Sequence, residues 1–119
     1  RFVECRLVGA SFAGSTLTGL TVEGGDWSYV LLRGQELAGL ELRGVRLREA
    51  DLSEADLTDA DLRGADLTRA RLHNATLAGA DLREANFDGV DLSAARIAQA
   101  RLDLAGAVQL ARSLGAVLE

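Results

Sequence analysis

The chain has 119 residues, of which 48% are apolar, with 13 basic and 18 acidic side chains for a formal charge of −5. That length suits one domain, the composition excludes disorder, and an acidic balance in which every positive side chain is an arginine argues against a nucleic-acid binder. No apolar run approaches the ~20 residues that span a bilayer and no basic leader precedes an apolar segment, so no membrane association and a cytoplasmic location are expected. The sequence starts at Arg1, without methionine and already inside a repeat, so further residues are expected to precede it.

From the N-terminus, steps of five land on Phe2, Leu7, Phe12, Leu17, Val22 and Trp27, then on leucine from Leu32 to Leu82, then on Phe87, Leu92, Ile97 and Leu102. A helix advancing ~100° per residue would spiral such leucines around its surface, and a strand alternates with period two. Neither element buries a five-residue beat. A short extended segment followed by a corner does, because every central leucine then points at one axis. Two residues before each leucine lies a second inward position, where a narrow interior admits small groups. It holds Cys5, Ala10, Ser15 and then alanine at every step from Ala50 to Ala85. Lone Cys5 allows no internal disulfide and is expected to pack inward.

The position between the two faces outward and carries Asp26, Asp51, Asp56, Asp61, Asp66, Asp81, Asn86 and Asp91, whose side chains can accept hydrogen bonds from turn amides. Ten of the thirteen glycines occupy the last place of the pentapeptide, marking it as the corner.

These residues resemble the pentapeptide-repeat family, whose sentence is A(D/N)LXX; the stretch from Ala50 to Arg69 reads ADLSE, ADLTD, ADLRG, ADLTR. The resemblance implies an all-β fold, a right-handed quadrilateral parallel β-helix with four pentapeptides per coil, a number that spacing alone does not select over three. Residues 1–103 would then make about five coils. At ~4.8 Å per coil they form a rod ~24 Å long.

In the N-terminal half the small inward position is irregular. Leu20 and Leu40, one coil apart, should stack, Gln35 should lie over Ser15, and Gly25 should make room for Trp27. Tyr29 and Leu31 fall at solvent-facing positions, and a locally distorted turn is expected to tuck them in. Farther on, residues twenty apart form columns: Glu41, Asp61, Asp81 beside Arg43, Arg63, Arg83, expected to be a salt-bridged face. Acid is densest in Asp51, Glu54, Asp56, Asp59, Asp61 and Asp66, which against Arg63 place −5 within one belt. These six are the candidate protein-binding residues.

From Asp103 the beat stops. Residues 104–119 carry Leu104, Ala107, Val108, Ala111, Leu114 and Leu118 on one helical side, widened by Leu110 and Val117, with Asp103 as N-cap and Gly115 as an early stop. The expectation is a C-terminal capping helix that covers the open end of the leucine column and blocks edge-to-edge stacking. The resemblance adds a homodimer contact through this element, with Leu104, Val108, Leu110 and Leu114 as its candidates.

No catalytic constellation can be assembled from one His, one Cys and carboxylates fixed by a repeat. His73 faces outward beside Ser53 and Ser93, short of the three or so protein ligands of a zinc site. No cofactor, metal or small-molecule substrate is expected, and the Asn74-Ala75-Thr76 sequon falls in frame with the repeat by accident. The expected function is non-enzymatic protein interaction. The quinolone-resistance branch of the family implies one form of it, a dimeric acidic rod that mimics DNA and binds gyrase; the alternative is a scaffold or spacer for another bacterial protein.

Overall fold

The structure is a computed structural model that describes residues 2–3, 22–92 and 94–114. Its backbone register repeats every twenty residues. Strands β1 (Phe2–Val3) and β2 (Val22–Glu23) pair in parallel with Phe2 opposite Val22. The same offset then recurs in isolated parallel bridges from Asp26↔Arg46 to Asp81↔Arg101. Twenty residues are four pentapeptides, so the coil has four sides. Each side is too short for more than a single bridge before the chain turns, which is why regular strands are sparse.

Both inward positions behave as the spacing requires. Trp27, every leucine from Leu32 to Leu82, Phe87 and Leu92 are buried, and so is the alanine at every fifth position from Ala50 to Ala85. Between coils, leucine amides donate to the carbonyl of the outward residue one coil on, as in Leu52 N to Arg71 O at 2.8 Å. At the corner a tight turn closes, as in Ala55 N to Leu52 O at 3.1 Å, with the intervening residue in the left-handed region. Glycine serves that conformation at Gly34 and Gly44, but Tyr29, Glu49, Glu54, Asp59, Arg69, Asn74, Glu84 and Gln99 adopt it as well, with φ between 56° and 63°. Sequence reading recognised the glycine corners and missed these.

One expectation fails. Tyr29 and Leu31 are not tucked in by a distorted turn: they are 53% and 47% exposed, because their positions in the repeat point outward and the turn holds its ordinary shape. Trp27 is nonetheless fully buried, and Gly25 before it adopts φ 99°. The expected packing of Cys5, the Ser15–Gln35 pair, the Leu20–Leu40 stack, Ser93 beside His73 and Gly115 as a helix stop fall on or require residues outside the described set.

Helix α1 (Leu104–Ser113) starts at Asp103, whose Oδ1 accepts from Gly106 N at 2.8 Å and whose Oδ2 accepts from Glu84 N at 2.7 Å. Gly106 is buried, and an added Cβ would lie 3.2 Å from Asp103 Oδ1, tight against the N-cap carboxylate. The terminal coil has no further coil to pair with, and side chains of α1 meet its edge. Gln109 Oε1 accepts from Phe87 N at 2.8 Å, Gln109 Nε2 donates to Ala85 O at 3.4 Å, and Ser113 Oγ accepts from Leu92 N at 2.7 Å. One coil earlier the same positions are served by backbone: Leu67 N donates to Asn86 O and Ala65 O accepts from Asn86 N.

The side of α1 that docks is therefore Gly106, Gln109, Leu110 and Ser113 rather than the apolar stripe marked in the sequence. Leu110 packs against the core, while Leu104 and Leu114 are 83% and 56% exposed. The polar side wins because the coil edge presents amide donors whose desolvation costs more than a few exposed apolar groups.

Candidate protein-binding surface

The six acids of the belt are spread around the four sides of one coil and do two different jobs. Asp51, Asp56, Asp61 and Asp66 are half-buried, and in each Oδ1 accepts from the amide two residues on, at 3.0–3.2 Å. They are turn-closing groups. Asn86 does the same for Asp88 N at 3.0 Å, so the amide and the carboxylate are interchangeable here. Glu54 and Asp59 stand exposed at corners, and Glu54 meets Arg33 Nη2 at 3.4 Å.

The arginine column expected to be salt-bridged is so. Arg63 grips Asp61 through Nε and Nη2, both at 3.0 Å, and Arg83 grips Asp81 through Nε at 2.9 Å and Nη2 at 2.6 Å. Arg43 reaches down to Asp61, and Arg63 lies 3.7 Å from Asp81. Hydrogen bonds from the Arg63 side chain hold the Asp61 carboxyl well below the usual carboxylate range. Those from Arg83 and from the Thr58 side chain lower Asp81 and Asp56 likewise. Such pairs satisfy the acids internally and leave little unneutralised field for a partner.

Around the corner, coils two to four form a groove of about 410 Å³ lined by Asp26, Ser28, Tyr29, Arg48, Glu49, Thr68 and Arg69. Glu49 hydrogen-bonds the Tyr29 hydroxyl, which raises the phenol pKa. The twenty-residue columns Ser28–Arg48–Thr68 and Tyr29–Glu49–Arg69 were available in the sequence to find this groove; Gln109 and Ser113 had no comparable signal. Of the candidate dimer residues, Leu104 and Leu114 face solvent, Val108 is half-buried and Leu110 faces inward. His73 is exposed, and among the described residues no three or more His, Cys, Asp or Glu are placed to hold a metal. No helix among them is long and apolar enough to cross a membrane.

The family description "Pentapeptide repeats" matches residues 28–64 and 65–103. The chain belongs to the pentapeptide-repeat family. Among solved structures it is similar to a pentapeptide-repeat protein of the Arabidopsis thaliana thylakoid lumen, with 31% identity, 92% of this chain and 77% of that one covered, and a TM-score of 0.86. It is similar to HetL of Nostoc sp. strain PCC 7120, a pentapeptide-repeat protein involved in heterocyst differentiation regulation, at 28% identity over 84% of this chain and 56% of that one, TM-score 0.58. Trypsin-treated QnrB1, a plasmid-mediated fluoroquinolone resistance protein, aligns at 20% identity over 98% and 80% of the two chains with a TM-score of 0.44, a likeness too distant to carry any inference of function. No curated protein matches the chain.

Proposed function

We propose that this pentapeptide-repeat protein is a non-enzymatic protein-interaction module: a right-handed, four-sided rod whose helix α1 covers the terminal coil and joins it to a second copy. The observation that carries the reading is the outer side of α1. That helix is anchored through Gln109, Leu110 and Ser113, yet it holds Leu104 and Leu114 out in solvent. Apolar groups fixed in place on an already docked helix favour a protein contact over a free surface. Light scattering tests it: the chain is expected to be a dimer, and Leu104→Glu with Leu114→Glu a monomer of unchanged circular dichroism.

The narrower proposal takes DNA gyrase as the partner, with the rod standing in for duplex. The two short dimensions of 24 and 23 Å support it, and so does the acidic belt from Asp51 to Asp66. Charge density weighs against it, since a duplex as long as the 43 Å chain carries about twenty-five phosphates at one per ~1.7 Å. The chain carries −5. The test is gyrase supercoiling with the protein and with a variant in which the six belt acids become Asn or Gln. Inhibition lost in the variant is expected for acidic mimicry. No inhibition by a folded dimer removes gyrase as partner and favours the scaffold reading, which already draws support from the aspartates being bound to their own turns.

A further inference from the structure

Apart from α1, the large apolar side chains exposed among the described residues are Tyr29 and Leu31. They sit together at one corner of the second coil, where Tyr29 holds φ 62° as seven other non-glycine corners do. Tyr29 also walls the 410 Å³ groove, in which the acids are already engaged. Asp26 Oδ1 accepts from the amide and hydroxyl of Ser28 at 3.0 and 2.7 Å, and Glu49 stands beside Tyr29, whose pKa it raises. The cations are looser. Arg48 lies 3.7 Å from Asp66 with its side chain 55% exposed, and Arg69 is exposed with no ion pair among the described residues.

We propose that this corner and groove are the docking site for an acidic segment of a protein partner that carries an aromatic or aliphatic anchor. The anchor covers Tyr29 and Leu31, and the segment's carboxylates reach Arg48 and Arg69, an aromatic-and-arginine combination typical of interface hot spots. A bare inorganic anion would leave the apolar pair uncovered. The site deepens the protein-interaction reading and rests on it.

The probe is a fluorescein-labelled peptide with three glutamates on each side of a central Phe-Leu pair, compared by anisotropy with its lysine counterpart on the full chain. Wild type is expected to bind the acidic peptide and not the basic one. Affinity should fall roughly tenfold or more in Arg69→Glu and in Tyr29→Gly. It should hold in Arg96→Glu, which makes the same charge change on the opposite side of the coil. Tyr29→Gly separates binding from folding, because glycine suits that φ: it should melt at or above the wild-type temperature while losing the peptide. Failure of the acidic peptide to bind, equal binding of the lysine peptide, or an equal loss in Arg96→Glu each overturns the site. If that happens while the wild-type chain remains an α1-dependent dimer, the groove alone is lost; if dimerisation also fails, the protein-interaction reading falls with it.

Discussion

Replacing Gln109 with leucine should loosen α1 from the rod by a predictable amount. Its side-chain amide supplies the acceptor for Phe87 N at 2.8 Å and a donor toward Ala85 O at 3.4 Å, the pair of bonds that a further coil would make. Leucine keeps most of the volume and removes both. An amide left without an acceptor beneath a helix costs about 1–3 kcal/mol, and because Gln109 is half-buried, water can partly reach the site and the lower half of that range applies. Unfolding entropy of about 2.1 cal/mol/K per residue over this chain makes each kcal/mol worth about 4 °C, so the melting temperature should drop by about 4–8 °C. Gln109→Glu keeps the acceptor and loses only the donor, so it should melt between the two. Thermal melts followed by far-UV circular dichroism decide it. A wild-type melt for Gln109→Leu, or Gln109→Glu melting below Gln109→Leu, would refute the idea that this amide completes the coil edge.

Three further outcomes follow from the packing. Ala60, 1% exposed, has no room for an arginine, and Ala60→Arg should cost more than about 4 kcal/mol and leave the chain largely unfolded in a urea melt; unchanged melting would reject the inward assignment. Gly34 has φ 71° with nothing within 4 Å of an added Cβ, so Gly34→Ala reports backbone strain alone and should lose about 1 kcal/mol, whereas Glu49→Gly at the matching φ of 56° should not destabilise. Asp56, Asp61 and Asp81 have folded pKa values below their unfolded ones, so their contribution is complete above about pH 5 and disappears as pH falls through the folded values. Melting temperature should be flat from pH 7 to about 5 and fall steeply below about 4, and Asp61→Asn should shrink that fall.

The coil was legible because the two inward positions of every repeat are fixed by volume, and volume is written in the residue type: leucine at the axis, alanine beside it. The number of sides was not, since any whole number of pentapeptides preserves the beat; the twenty-residue register appears only in the bridges. The outward aspartates were correctly placed as turn acceptors, yet the same residues also read as a free acidic belt. A sequence counts carboxylates without showing which oxygens are already bonded. At α1 the apolar stripe was visible and the docking side was not, because that side is chosen by the unpaired amides of the coil edge, and Gln109 and Ser113 resemble ordinary surface residues until those amides are placed opposite them.

In a repeat of this kind the outward aspartate is committed to its own turn, so recognition has to come from the two places the repeat leaves unspecified, the residue after the leucine and the corner. The belt can be divided on that principle. Asp51, Asp56, Asp61 and Asp66 changed to Asn should keep their turn bonds, as Asn86 does, losing charge together with the stability that ionised Asp56 and Asp61 supply. Glu54→Gln with Asp59→Asn removes the two exposed corner acids and touches no turn acceptor. If a partner contact to the acidic belt exists, the two-residue variant should weaken it at least as much as the four-residue variant, although it removes half as many charges, because exposed carboxylates are the ones a partner can reach. Should the four-residue variant weaken binding in proportion to its larger charge change, long-range field rather than direct contact governs the surface, and the distinction between turn-bound and free acids has no functional weight.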